Sequence, residues 1–426
     1  MKIAIVGSGI AGCLAAYRLA AEHDITVFEA QERLGGHIHT HDIERAGQRY
    51  RIDTGFIVFN ARTYPRFCSL LAELGIRSQP SAMSFSVSDE GSGLEYNGTT
   101  VNSLFAQRRN LVRPRFWRML RDIVRFNREA TQLLRPDAPE VTLSDYLEEH
   151  RYSREFIEYY LVPMGSAIWS TDPQRLRSFP ARFFVRFFDQ HGMLTVNDRP
   201  PWKVVQGGSE TYLRRLTRTF ETAIRRGCPV SAVRRGPEGV WISAGGQGPE
   251  RFDAAFLACH SDEALGLLAD PDETERAVLG ALPYQANEAV LHTDPRLLPR
   301  NARAWAAWNY RIPRQASGRA VVTYHMGILQ SLHAAPPFLV TLNDTAQIDP
   351  SKILARMTYT HPLFTREGIA AQARHRVLNG VRRTYYCGAY WGFGFHEDAV
   401  VSAERALGHF AADQKTGSFA PVRQGN

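Results

Sequence analysis

Lysine is nearly absent from this chain. It occupies positions 2, 203, 352 and 415 of 426, so almost all positive charge is carried by arginine. Chemistry that needs a titratable ammonium has few residues to draw on, since arginine stays protonated. No run of about eighteen apolar residues occurs, so no bilayer-spanning helix is expected. The five cysteines (Cys13, Cys68, Cys228, Cys259 and Cys387) are scattered, without the spacing of a metal site or a redox pair. No metal is expected, and reduced thiols in a cytoplasmic protein are the default reading. Residue 1 leads directly into an apolar strand, so no cleavable leader is expected either. Repeats and low-complexity tracts are lacking. Only the last dozen residues read as a disordered tail.

A net charge of +8 raises the question of nucleic acid. The arginines are spread along the chain, whereas nucleic-acid binding wants a clustered basic face on a recognition fold, so no such partner is expected. One local exception runs from Arg108 to Phe126. Its second half reads as a helix with Phe116, Leu120, Ile123 and Val124 on one side and arginines around them. Such a helix could rest on an anionic membrane or pack on its own domain. A second aromatic stretch, Phe183 to Phe188, reads as core or pocket lining.

What is present at the N-terminus is the outline of a nucleotide site. Lys2 to Val6 is a short apolar run bounded by glycine, as a buried parallel strand should be. Gly7-Ser8-Gly9-Ile10-Ala11-Gly12 follows and opens a helix. Gly7 permits a sharp turn, Gly9 the approach of a pyrophosphate, and Gly12 close packing of helix on strand. The amides at the start of that helix, at Ile10 and Ala11, form an anion site with the helix dipole. A second strand, Asp24 to Phe28, ends at Glu29, at about the twenty-residue offset of an acid that binds ribose hydroxyls. Just beyond it, Arg33 can complement phosphate charge, and Gly35 and Gly36 permit close backbone contact before His37.

The far end of the chain carries Tyr386-Cys387-Gly388-Ala389-Tyr390-Trp391-Gly392-Phe393-Gly394-Phe395-His396-Glu397-Asp398-Ala399. With the N-terminal unit, this resembles the flavin-containing amine oxidase, protoporphyrinogen oxidase and phytoene desaturase superfamily. Further resemblances are Arg51 to Gly55, the glycine pair in Gln206-Gly207-Gly208-Ser209, and the strand Phe252 to Cys259. The form of the C-terminal motif is closest to bacterial oxidoreductases linked with unusual fatty acids. The resemblance implies FAD, with Val230 at adenine and with Gly388, His396, Glu397, Asp398, Ala399 and Val400 near the flavin. It also implies that the last helix aims its N-terminus at the flavin N1 and C2 carbonyl, where negative charge accumulates on reduction. His396 could donate through its imidazole as well, and Tyr390 and Trp391 could shape the flavin face; these three are the catalytic candidates. Two departures stand out. His37 replaces the usual arginine, and Ala389 stands where an acid often contacts the ribityl chain.

The expected fold is α/β with two domains. Residues 1–61, 203–284 and 376–426 would form a Rossmann-like FAD-binding domain. Residues 62–202, mainly helical as far as about 200, and 285–375, rich in alternating strands, would form a helical and antiparallel-sheet substrate domain. The lysine that amine oxidases of this superfamily often place near flavin N5 has no counterpart around Leu297 to Trp308, where Arg300 stands. The expected function is therefore an FAD-dependent oxidoreductase that dehydrogenates or desaturates an apolar substrate, such as a fatty-acyl lipid, by hydride transfer. Amine or amino-acid oxidation, redox-neutral isomerisation and a flavin-binding partner role stay open. So does the acceptor, which could be oxygen, a quinone or a protein. Peripheral membrane contact is a further possibility.

Overall fold

A computed structural model describes residues 1–195, 198–315 and 318–417. The tail expected over the last dozen residues lies outside these, apart from Lys415, which ends the last helix, and the two residues after it.

Two sheets organise the molecule. In the first, five parallel strands run in the order Ile224–Arg225, Asp24–Phe28, Lys2–Val6, Ala254–Leu257 and Thr384–Tyr386. Segments more than three hundred residues apart thus share one sheet. Ile3 and Ile5 are fully buried, as are Ala4, Val27, Phe256 and Leu257, which explains why the central strands are apolar inside their first residues. The segment read as one strand from Phe252 to Cys259 divides at Asp253. Glu250–Phe252 joins a three-stranded antiparallel sheet with Gly239–Ala244 and Val230–Gly236, while Ala254–Leu257 enters the parallel sheet. Asp253 makes the break by bonding to the amide of Lys2 through its carboxylate, at 2.8 Å.

The second sheet has seven strands, in the order Ile353–Pro362, Tyr284–His292, Leu339–Leu342, Val321–His325, Trp308–Ile312, Phe85–Asp89 and Glu95–Asn97. Its pairings are antiparallel except where Trp308–Ile312 meets Phe85–Asp89. Within residues 62–200, read as mainly helical, the hairpin Phe85–Asp89/Glu95–Asn97 adds two strands. Its strands are too short for the alternation in Phe85-Ser86-Val87-Ser88 to stand out, and it is held by tertiary pairing with Trp308–Ile312. The rest of that stretch is largely helical, with Pro114–Glu129 and Ala181–Gln190 its longest helices.

The helix Pro114–Glu129 turns its expected apolar face inward. Phe116 is buried, and Leu120 and Ile123 pack against the core, whereas Val124 is 65% exposed. Of the two readings, this face is mostly one that packs on its own domain. Phe183, Phe184, Phe187 and Phe188 are all buried.

One buried acid stitches distant pieces together. Asp53 accepts from the amide and hydroxyl of Ser209, from Thr40 Oγ1 and from Gln330 Nε2, at 2.5–3.1 Å. It fixes the Gly207-Gly208 turn against the strand Gln48–Asp53. Burial pushes its carboxyl up to about 6, against these opposing hydrogen bonds.

Candidate active site

The glycine turn shows which contacts belong to the protein and which are left for a ligand. A Cβ on Gly12 would overlap the carbonyl oxygen of Gly7, so helix Ile10–Leu19 and strand Lys2–Val6 approach as closely as glycine allows. A Cβ on Gly9 would meet nothing within 4 Å. Nothing in the protein requires Gly9 to lack a side chain. It faces a cavity of about 1350 Å³ that Gly7, Ile10 and Ala11 also line. An open cradle at a helix N-terminus fits a pyrophosphate.

Glu29 also lines this cavity. Its carboxylate accepts from the amide and hydroxyl of Ser8, at 3.0 and 2.5 Å, and from the amide of Gln31, at 2.9 Å. Ser8, which sequence reasoning passed over, thereby locks the acid to the glycine turn. Arg33 donates to the carbonyls of Leu34, Gly36 and Ile38, so it braces the Gly35-Gly36 turn. That turn lies against the first: a Cβ on Gly36 would stand 3.5 Å from Gly9 Cα. Val230 lines the same cavity at the start of its strand.

His37 follows the second turn, and its Nε2 is buried without a hydrogen-bond partner among the described residues. His361 and His260 lie 5.3 and 6.5 Å from its ring, and Tyr359 5.1 Å. Burial, then His361, His260, His396 and Arg33, hold the His37 imidazole well below its ordinary pKa. The ring is therefore neutral in the bare protein. A bound pyrophosphate would favour its cationic form and raise that value. Binding then takes up a proton, so affinity rises as pH falls between the two values, by up to about tenfold per pH unit for one proton. Fluorescence titration of apoprotein with FAD across pH should show this slope, and His37→Gln should flatten it.

The C-terminal motif leaves the strand Thr384–Tyr386 and enters the helix His396–Lys415. Gly388, Tyr390, His396 and Ala399 line the cavity. The His396 ring stacks on Phe56, with centroids 3.6 Å apart, and its Nε2 bonds to Tyr212 Oη at 2.8 Å. Burial lowers its pKa to about 3, so it is a neutral, anchored ring. What the helix start offers the cavity is its amide groups, which have no intrahelical acceptor. Glu397 accepts from the amides of Arg66 and Phe67 and so caps the helix Pro65–Glu73. Asp398 accepts from the amide of Phe395, and burial raises its carboxyl to about 7. These two acids, with Gly12, Trp391 and Val400, do not line the cavity. Trp391 is instead edge-on to His375, 4.6 Å away, and Val400 is fully buried.

Beyond these elements the cavity continues between the two main sheets. Ile168, Phe187, Trp308, Tyr324, Phe364 and Phe393 line it. Trp308 is the residue of the 297–308 segment that reaches the cavity, while the Arg300 amide is bound to Glu95. Opposite runs a hydrogen-bonded chain: His39 Nδ1 to Tyr359 Oη, Tyr359 Oη to Thr54 Oγ1, and Thr54 Oγ1 to His41 Nε2, at 3.0, 2.9 and 3.1 Å. None of these residues except Thr54 stood out in the sequence, because His39 and His41 belong to no motif and Tyr359 arrives from a strand more than three hundred residues away. The volume exceeds the roughly 300–1,000 Å³ of a drug-sized ligand site, leaving room for a dinucleotide and a substrate.

Comparison with known proteins bears on the family and the fold. The family described as flavin containing amine oxidoreductase matches residues 10–318. Protoporphyrinogen oxidase 2 of Arabidopsis thaliana is 25% identical over 197 residues, which are 42% of this chain and only 35% of that protein. Among solved structures, a putrescine oxidase variant superposes with a TM-score of 0.68 at 16% identity, covering 96% of this chain and 99% of that one. Cyclohexylamine oxidase from Brevibacterium oxydans gives 0.68 at 14% identity, over 97% and 99% of the two chains. A fatty acid isomerase from P. acnes that produces CLA gives 0.67 at 15%, over 96% and 98%. At these identities the superpositions speak to a shared fold. The family match, spanning most of the sequence, speaks to membership: the chain belongs to the flavin containing amine oxidoreductase family and is an FAD-dependent oxidoreductase.

Proposed function

We propose that this oxidoreductase dehydrogenates an apolar substrate, with a fatty-acyl group as the class that fits best. The observation carrying this reading is the cavity wall beyond the glycine turns. One side of it is aromatic and aliphatic, the other carries histidines, Thr54 and Tyr359, and the carboxylates that reach the cavity among the described residues are Glu29 and Glu263. Glu29 is bound to Ser8 and Gln31, and Glu263 sits in the helix Ser261–Leu267 that follows the parallel strand Ala254–Leu257. An ammonium group among the aromatic residues would have ring faces but no carboxylate beside it to replace its hydration. An acyl chain would instead gain about 0.8 kcal/mol for each methylene buried.

Bound FAD supplies the hydride acceptor, and the protein supplies binding, orientation and exclusion of water. Gly7, Gly9, Ile10, Ala11, Glu29, Gly35, Gly36, His37 and Val230 would hold the dinucleotide, while Gly388, the His396 turn and Ala399 would face the flavin. Tyr390 and the chain His39–Tyr359–Thr54–His41 would orient the reacting carbons. His39 is held near 3, first by burial, so this chain positions hydroxyls and does not carry charge at neutral pH.

The test is anaerobic addition of membrane lipid extract to the purified holoenzyme, with the visible spectrum and product masses followed together. Bleaching of the flavin with a lipid product lighter by one H₂ is expected. Bleaching by a soluble amine but not by lipid would replace this reading with amine oxidation. Product of unchanged mass would replace it with isomerisation. Oxygen, quinone or a protein acceptor would then be told apart by which one restores the oxidised spectrum.

A further inference from the structure

The helix Pro114–Glu129 packs the apolar face read from its sequence against its own domain, yet its opposite face is not an ordinary polar surface. Trp117 is 49% exposed and Val124, two turns on, 65%. Just before the helix, Leu111 and Val112 are 48% and 82% exposed, and Val101 is 76%. These side chains lie in one place. Trp117 Nε1 donates to the Leu111 carbonyl at 2.9 Å, and its ring packs on Phe105 with centroids 5.5 Å apart. The Phe105 amide in turn bonds to the carbonyl of Val101.

Around this apolar ridge stand arginines 108, 109, 113, 115, 118, 121, 125 and 128, against two acids between residues 101 and 129. One of those acids, Asp122, is fully buried. The side chains of Arg115, Arg121 and Arg128 are 71–85% exposed, and their contacts with carboxylates are 3.6–3.8 Å long. Large apolar residues left in water inside an arginine field match one kind of surface. Anionic headgroups take the guanidinium groups, and the acyl boundary takes tryptophan and valine. Nucleic acid would satisfy the arginines and leave the ridge in water.

We propose that the ridge Val101, Leu111, Val112, Trp117 and Val124, with its surrounding arginines, docks the protein peripherally on an anionic lipid bilayer. The surface stands apart from the substrate reading, since it rests on none of the cavity residues. The two are nevertheless close neighbours. Arg115 and Arg118 reach Glu155, at the start of the helical run whose Tyr160, Met164 and Ile168 line the cavity. Ile123, on the inner side of the docking helix, packs in the same cluster as Tyr160 and Met164. One layer of helix thus separates the docking face from the cavity wall.

Holoenzyme would be sedimented with vesicles of phosphatidylcholine alone and of phosphatidylcholine containing phosphatidylglycerol. Binding only to the anionic vesicles is expected. It should weaken with salt, and about tenfold in a V112S/W117S double variant whose melting temperature and FAD content are unchanged. A second variant, R115E/R121E, should lose binding without touching the ridge. Quenching by bromine-labelled lipid should fall in Trp117→Phe. Failure to bind anionic vesicles at low salt would overturn the proposal. So would vesicle binding indifferent to the ridge variant, which would mean adhesion by charge alone. Binding to RNA with the same dependence on Trp117 would assign the surface to a polyanion instead.

Discussion

Gly12→Ala gives a protein that melts early and retains no FAD, whereas Gly9→Ala gives one that melts normally as apoprotein but binds FAD poorly. The two glycines sit three residues apart in one turn, and the structure assigns them opposite reasons for being glycine. At Gly12 the missing Cβ is replaced by the Gly7 carbonyl, and the Ala258 side chain lies close by. The first strand and the nucleotide helix must separate to admit a methyl group. Over-packing of this kind costs about 1–3 kcal/mol. It also moves the amides of Ile10 and Ala11 away from the position that suits an anion. At Gly9 the backbone is extended, with φ −62° and ψ 175°, and the space beside it is open. Alanine fits there without strain, so any loss of affinity reports the approach of the ligand itself. A loss of about 1.4 kcal/mol is tenfold in affinity. Thermal melting of the apoproteins and FAD titration of each variant separate the two effects. If Gly9→Ala binds FAD as tightly as the parent, the pyrophosphate does not lie over this turn.

The same distinction explains what could be read from the sequence. Glycines, apolar strands and the terminal acid at Glu29 are local in the chain, and their spacing reports the geometry directly. The hairpin at Phe85–Asp89 is not local. Its strands are ordered by pairing with Trp308–Ile312, more than two hundred residues away, which no window on the sequence contains. Helix Pro114–Glu129 was legible as a helix, but not which of its faces packs. Apolar residues occur on two of its faces, and periodicity alone does not say which one meets the core. The cavity wall was the least legible part, because Ile168, Phe187, Trp308, Tyr324 and Tyr359 arrive from separate segments. Arg33 carries something the charge alone did not show: it lines the cavity, and its guanidinium also donates to three carbonyls of its own turn.

Arg235→Met should cost about 3–5 kcal/mol of stability, the usual loss when one partner of a buried ion pair is removed. The Arg235 side chain is fully buried, and that of Glu275 is 1% exposed. Arg235 bonds to both carboxylate oxygens of Glu275, and to the carboxylate and carbonyl of Asp270. Glu275 also accepts from Tyr386 Oη at 2.8 Å and from the Asp272 amide at 2.9 Å. The cluster therefore ties strand Val230–Gly236 and helix Glu273–Leu279 to the last residue of the strand that leads into the C-terminal motif. Removing both charges together, as R235M/E275M, should cost less than Arg235→Met alone, because no unpaired charge is left behind. Urea midpoints of the single and double variants measure this coupling. Their pH dependence gives a second check. Burial alone would raise the Glu275 carboxyl, but Arg235, the Asp272 amide and Tyr386 hold it below its ordinary value. In the parent its contribution is fully present above the unfolded carboxyl pKa, and is lost as pH falls through the depressed folded value. In Arg235→Met the main opposing charge is gone and burial dominates, so the carboxyl rises and protonation relieves the buried anion. The deficit of the variant should therefore shrink on moderate acidification. A deficit that stays constant across pH would mean that Arg235 acts by filling space and not by its charge.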